Sequence, residues 1–373
     1  MTPSEAPATL LFIGPLPEPV TGQSLACRVL LDGLPTAYRV ELIDLSKKEF
    51  TQGISSHSRV IDVARILWRV WRRRGGADVI YLTVSESIAG NIKDLCIYFL
   101  CFRRLKRMVI HLHGGAGMRH IMLKGSVLGG ANAFFLRRVG AVVVLGDTHR
   151  QIYRGVVPDG QIHVVPNFAE DRLFATPERV IERFSQTRPL KILFLSNLLP
   201  GKGHEELVEA FLALDARTKA LVELDLAGGF ESERQKAQFL ARIAGVGNIR
   251  YHGTVAGARK KALFDHAHVF CLPTYYPYEG QPISILEAYA SGCAVITTDH
   301  SGIPDVFRDD VNGFQVAARS VSDLRMAIER AVAQPERLGQ MGATNLQTAL
   351  AHYRTSDYTK SLVQILDSVA GNA

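Results

Sequence analysis

The sequence has 373 residues, 47% hydrophobic and 21% charged, too long for one ordinary core and too apolar for a disordered chain, so two domains are expected. Its net charge of +7 is uneven: residues 1–170 hold 21 Lys and Arg against 13 Asp and Glu, whereas residues 171–373 hold 22 against 23. The excess in the first half suits an anionic substrate, an anionic membrane surface or a nucleic acid.

The opening MTPSEAPATLLFIGPL lacks the basic leader of a secretory signal and runs into a first strand, Thr9–Ile13. Strand-to-helix punctuation follows in Gly14-Pro15-Leu16-Pro17 and Thr21-Gly22-Gln23-Ser24. A glycine-bearing loop at that place lets backbone approach a phosphate or sugar, and an ordinary turn fits equally well. The GxGxxG dinucleotide spacing is absent. Helix and strand then alternate: Gln23–Leu34, Val40–Leu45, Val60–Arg73, Val79–Thr83, Ile88–Arg107, Met108–His113, Val127–Arg138 and Ala141–Leu145. Such alternation predicts a parallel sheet covered on both faces.

Two segments here join apolar residues to cations, Trp68-Arg69-Val70-Trp71-Arg72-Arg73-Arg74 and Leu95–Phe102 with Arg103-Arg104-Leu105-Lys106-Arg107. Either could rest on anionic lipid headgroups, or be a core-facing helix with a solvated basic end. The apolar run Leu95–Phe102 is far short of the about twenty residues that a membrane span needs. Val109-Ile110-His111-Leu112-His113-Gly114-Gly115 closes a central strand, and period two puts both histidines on one face. His113 lies nearer the strand's carboxyl end, where it could contact a sugar hydroxyl or phosphate, or move a proton; His111 reads as core.

Residues 165–189 read as a linker, and the second half repeats the pattern. Strands are expected at Lys191–Leu195, Val222–Ala227, Ile249–Tyr251, Val269–Leu272 and Ala294–Thr298. Helices are expected at His204–Leu214, Glu231–Ala244, Arg259–His266, Pro282–Ser291 and Val321–Gln334, with a last one at Tyr353–Val369. Lys202 stands between glycines just before a helix, a good position for a cation that neutralises phosphate, although the loop is not a Walker A sequence. Gly228-Gly229-Phe230 and Tyr251-His252-Gly253-Thr254 mark further strand ends that could shape a nucleobase pocket. In TYYPYEGQPISILEAYASGCAVITT, Glu279 precedes a helix and Glu287 lies within it. Two carboxylates beside a helix start suit a ligand bearing hydroxyls and phosphates. Five cysteines without a CxxC pair point to free thiols in a reducing compartment and away from metal ligation.

Together these residues resemble the retaining GT-B glycosyltransferases of family GT4, over nearly the whole chain and most strongly over residues 190–316. EGQPISILE resembles the family's E-x7-E motif, Lys202-Gly203 its KG, Met108–Gly115 its His-bearing strand and Pro15–Gly22 its first glycine loop, while Ser301-Gly302-Ile303-Pro304-Asp305 resembles the turn after the motif helix. The resemblance implies an α/β GT-B fold, two Rossmann-like parallel-sheet domains facing an interdomain cleft. They would span 1–170 on the acceptor side and 171–352 on the nucleotide-sugar side, with the helix near 353–373 packing back on the first. It implies that Glu279 contacts the donor sugar and that Glu287 holds ribose hydroxyls. Lys202, with the amides around Gln281 to Ser284, would stabilise the leaving diphosphate, His113 would face the sugar or its phosphate, and donor binding would also involve Gly280, Gln281, Pro282, Ile283, Ser284, Asn197, Gly253 and Gly22.

The implied reaction is retaining transfer from a nucleotide-diphosphate sugar to a glycan or lipid-linked saccharide in surface polysaccharide biosynthesis. No metal or other cofactor and no nucleic-acid partner are expected, and the enzyme would be cytoplasmic, peripheral on the inner face of the membrane. The chain departs from the family pattern in three places. Ser196-Asn197 replaces the usual Gly-Arg, so Lys202 acts alone or Arg119 substitutes; Gln281-Pro282 replaces Phe-Gly; Thr21-Gly22 replaces Gly-Gly. A nucleotide-sugar epimerase of the same shape and a non-catalytic scaffold are the other readings.

Overall fold

The computed structural model describes residues 7–46, 56–123 and 125–371. The chain divides into two units, Met1–Asn167 with Ser356–Ala373, and Phe168–Thr355.

The first unit is built on six parallel strands: β1 (Ala8–Gly14), β2 (Tyr38–Asp44), β3 (Val79–Thr83), β4 (Met108–His111), β5 (Ala141–Val144) and β6 (Ile162–Val164). Their order is β2-β1-β3-β4-β5-β6. VIYLT and AVVV are buried at every position, as expected of strands covered on both faces, whereas edge strand β2 buries only Ile43. Leu11, Ile13, Ile80, Leu82, Ile110 and Val142 form one layer of the core. The final helix, Thr355–Gly371, buries Tyr358, Leu362, Ile365 and Val369 at helical spacing. Its Asp367 accepts a 2.5 Å hydrogen bond from the Tyr38 hydroxyl.

The second unit carries β7 (Leu190–Leu195), β8 (Val222–Ala227), β9 (Ile249–Tyr251), β10 (Val269–Leu272), β11 (Ala294–Thr297) and β12 (Gly313–Gln315), all parallel, in the order β12-β11-β10-β7-β8-β9. The chain builds outward from β7 through β8 to β9, then returns to β10 on the other side. At that reversal the connections from β7 and β10 run in opposite directions along the sheet, which leaves a crevice at the strands' carboxyl ends, where doubly wound sheets bind ligands.

Several expected boundaries shift. The supposed linker holds a helix, Pro177–Phe184, started by a Thr176 cap. The helix expected over Ile88–Arg107 stops at Leu100 and continues as a 3-10 turn, Phe102–Arg107. Strand β4 ends at His111, so His113 stands on the loop beyond it. Pro282 is the cap of its helix and not part of it, since its ψ of 117° is extended. All five cysteines are free, but Cys96 is exposed while the other four are buried.

Candidate active site

Lys202 follows β7 on the loop that closes with Gly201 and Gly203. Gly203 has φ of +84°, and a Cβ there would lie 2.4 Å from the Pro273 carbonyl oxygen, so only glycine lets this loop approach the one after β10. The Tyr275 N–H donates to the Gly201 carbonyl at 2.7 Å and ties the two loops together. As a result Lys202 and Glu279, 77 residues apart, meet: Nζ lies 2.7 Å from Oε2. Their side chains are 12% and 9% exposed. The buried Thr274 hydroxyl donates to the same Oε2 at 2.9 Å, and the ammonium lies 4.8 Å from the Tyr276 ring centroid. Glu279 is further fixed through its backbone, whose carbonyl accepts a 2.6 Å bond from the Ser301 hydroxyl.

Directly after Glu279 the chain turns into the helix Ile283–Ala290, with every residue but Ser284 buried and no side chain capping its start. Gly280 is held by the Gly302 N–H at 3.1 Å, and Gln281 is buried. A helix start without a side-chain cap offers N–H groups and a partial positive charge to an anion. The first unit's helix Gly22–Asp32 differs. Its Thr21 and Ser24 form a capping box, which occupies the Ser24 amide within the chain. Gly22 thus opens a helix whose start is already capped.

Glu287, one turn into its helix, is 1% exposed. Its Oε1 accepts a 2.6 Å bond from Lys260, and Lys260 reaches Glu170 at 2.7 Å. Arg172 pairs with Glu170 in turn. Four charges alternate in sign along this chain, as burial demands. Burial pushes the Glu287 carboxyl up, to about 7, against the pull of the Lys260 ammonium. Burial alone would lower Lys260, but its two carboxylates outweigh it and raise it.

The remaining positions are distributed over both units. Asn197 lies on the loop after β7, with its Oδ1 3.8 Å from where a Cβ on Gly229 would stand. Gly253, at φ of +69°, accepts the Gly228 N–H at 2.9 Å and shapes the loop after β9. In the first unit, His111 and His113 stack with ring centroids 3.9 Å apart. The Tyr81 hydroxyl meets His111 Nδ1 at 2.7 Å, whereas neither ring nitrogen of His113 has a partner among the described residues. Burial lowers His113 to about 3, so its imidazole is neutral near pH 7. Glu86, just past β3, packs where a Cβ on Gly114 would stand, 1.9 Å from its Oε2. Burial raises its carboxyl to about 7. Arg119 is exposed on the helix Ala116–Ile121.

Sequence reasoning did not name Thr274, Lys260, Glu170 or Glu86. Lys260 shares a helix face with the buried Phe264, four residues on, and that spacing was the available signal. Glu170 lay in the supposed linker and gave none.

Residues 178–347 match the family model described as glycosyl transferases group 1. The chain is 28% identical over 181 residues to a GDP-mannose-dependent alpha-(1-6)-phosphatidylinositol monomannoside mannosyltransferase of Mycobacterium tuberculosis, covering 47% of this chain and 46% of that protein. It is 28% identical over 131 residues to the amylovoran biosynthesis glycosyltransferase AmsK of Erwinia amylovora, covering 34% and 32%. These matches span half or less of either relative's length. The fold matches that of Anabaena HepE, solved with UDP and glucose, at a TM-score of 0.70 and 15% identity over 97% of this chain and 100% of that one. Both units are thus Rossmann-like and the architecture is GT-B.

Proposed function

We propose that this chain, whose residues 178–347 match the model for glycosyl transferases group 1, moves a hexose from a nucleotide-diphosphate sugar to a saccharide acceptor with retention of anomeric configuration. The observation that carries this reading is the Lys202–Glu279 pair, set 2.7 Å apart at the sheet's reversal beside a helix start that no side chain caps. When the bond between the anomeric carbon and phosphate oxygen breaks, negative charge develops on the departing diphosphate. The Lys202 ammonium and the N–H groups of Ile283 and Ser284 can offset it without a metal ion. Glu279, on the same side, can accept hydrogen bonds from sugar hydroxyls, and the acceptor hydroxyl attacks the face that the phosphate leaves, its proton passing to the departing phosphate oxygen.

Glu287, whose ionised form the Lys260 ammonium favours against burial, is the group to hold ribose hydroxyls. Asn197 and Gly253 border the loops on which the nucleotide would lie. In the first unit, His113 is suited to act as a neutral hydrogen-bonding group for a sugar hydroxyl, and Gly22 as a point of close backbone approach. The relatives' activities, on phosphatidylinositol monomannoside and in amylovoran biosynthesis, favour a glycan or lipid-linked saccharide acceptor.

A thermal-shift panel of nucleotide sugars identifies the donor, and proton NMR of the product reads the anomeric configuration. Stabilisation by at least one nucleotide sugar and a retained configuration in the presence of a chelator are expected. An inverted product, or conversion of donor to an epimer without acceptor, would remove the reading.

A further inference from the structure

The two amphipathic segments of the first unit lie side by side. In the helix Ser56–Arg73 the outward stripe is Ile61, Ala64, Trp68 and Trp71, at offsets of 0, 3, 7 and 10. In the helix Ile88–Leu100 it is Ile88, Ile92, Cys96 and Phe99, at offsets of 0, 4, 8 and 11. These spacings each mark one face of a helix, and the opposite faces supply the core. A solvent-facing stripe is normally polar; here Trp68 is 55% exposed, Trp71 54% and Phe99 71%. The stripes meet along a shallow groove lined by Leu67, Trp68, Trp71, Ile92, Cys96 and Phe99. An exposed apolar patch of this kind marks an interaction surface.

Its surroundings are cationic. Arg72 lies over the Trp68 ring, 5.0 Å from the centroid, and Arg74 lies 5.7 Å from that of Trp71. The 3-10 turn Phe102–Arg107 continues the second stripe with exposed Phe102 and adds Arg103 and Lys106. Arg65, Arg73 and Arg107 have carboxylate partners. Among the described residues none lies within ion-pair reach of Arg69, Arg72, Arg103 or Lys106. Exposed indoles and phenyl rings beside unpaired cations match the boundary between lipid tails and anionic headgroups, where rings enter the apolar layer and cations remain at its surface. A second copy docking by two-fold symmetry would set this patch against itself and bring like charges together.

We propose that the face formed by the helices Ser56–Arg73 and Ile88–Leu100, with the turn Phe102–Arg107, docks the protein on an anionic lipid surface. The inference goes beyond the transfer reading and does not depend on it, because none of these residues belongs to the candidate active site.

Trp68 and Trp71 are the chain's only two tryptophans, so intrinsic fluorescence reports on the patch directly. With the full chain and vesicles of phosphatidylcholine plus phosphatidylglycerol, emission shifts to the blue, lipids brominated on their chains quench it, and the protein floats with the vesicles. Phosphatidylcholine alone does much less. The triple variant Arg69→Glu, Arg72→Glu, Arg103→Glu, which breaks no ion pair, keeps its fold by circular dichroism and its turnover on a water-soluble acceptor. It binds the anionic vesicles at least about a hundredfold more weakly, a factor of about five for each cation lost, with the added glutamates repelling the surface further. Absence of both shift and flotation would overturn the proposal, as would a triple variant that binds like the wild type. A shift produced by single-stranded DNA but not by vesicles would assign the face to nucleic acid, and a shift accompanying dimerisation without lipid would assign it to a second copy.

Discussion

Replacing Lys202 with Met keeps the length of the side chain and removes its charge, which tests the central pair in two independent ways. Glu279 is 9% exposed at its side chain and has Lys202 and Thr274 on one oxygen. Without the ammonium, its carboxylate stays buried with a single neutral donor, a loss of about 3–5 kcal/mol when a buried pair is broken from one side. For a unit of this size the melting temperature falls by about 2–4 °C per kcal/mol, so a drop of about 6–20 °C is expected. Glu279→Gln removes the other charge, and the double variant leaves neither charge uncompensated. The double variant should therefore be more stable than Lys202→Met alone, with a coupling of about 1–3 kcal/mol in urea unfolding. Transfer behaves differently: Lys202→Met loses about 10²–10³ in turnover, the effect of one missing donor to developing charge, and Glu279→Gln does not restore it. Additive stabilities within about 0.5 kcal/mol would refute the energetic coupling of the pair. Wild-type turnover in Lys202→Met would refute its role toward the leaving group.

Glu287 has a folded pKa of about 7 against an ordinary 4.5. A raised carboxyl binds its proton more tightly in the folded state, so its contribution to stability falls as pH rises from about 4.5 to about 7 and is level above that; Glu287→Gln should flatten that part of the melting profile. Because ribose hydroxyls donate to the ionised form, donor KM should fall as pH rises through about 7, and Lys260→Met, which removes the opposing ammonium, should move that midpoint to higher pH. Gly203→Ala forces a side chain into φ of +84° and toward the Pro273 carbonyl; a loss of at least about 1–3 kcal/mol in urea unfolding and a defect in turnover are expected. Burial holds His113 near 3, so NMR of the histidine rings should show no His113 titration between pH 5 and pH 8.

The central strands were legible because burial on both faces turns them into short β-branched runs, as in VIYLT and AVVV. Edge strands β6 and β12, with only IHV and GFQ, carry no such run and were not foreseen. The helix Pro177–Phe184 buries only Val180, so its apolar stripe was too thin to stand out from a linker. The helix Pro335–His352 contains Gly339 and Gly342, which resemble loop punctuation. Yet a Cβ on Gly342 would lie 2.4 Å from the Gly292 carbonyl, so this glycine serves close packing. In the candidate site, Lys202 and Glu279 could be singled out because each stands on a glycine-rich loop beside a helix start. Lys260 stands in ARKKALFDH, where three cations in sequence look like a solvated face and only the four-residue spacing to Phe264 hints which one turns inward. Glu86 was hidden for a related reason, since its environment is made by Gly114 on another strand's loop.

The two glutamates eight residues apart differ most in the lysine that each one meets. Lys202 sits on a loop and touches a single carboxylate, so an incoming diphosphate competes with one carboxylate only, and the ammonium can swing from Glu279 and the Tyr276 ring toward phosphate. Lys260 projects from a helix and is held between Glu287 and Glu170, with Arg172 closing the far side. Withdrawing it would leave the buried Glu287 carboxylate without a cation, which the low dielectric there penalises heavily. The first lysine is therefore suited to follow charge as it develops, and the second to keep a carboxylate in place and ionised. Removal of Lys202 should accordingly appear in kcat, where transition-state contacts are read, and removal of Lys260 in donor KM, where ground-state binding is read. If the two variants gave the reverse pattern, the roles assigned to Glu279 and Glu287 would have to be exchanged, whatever the motif spacing suggests.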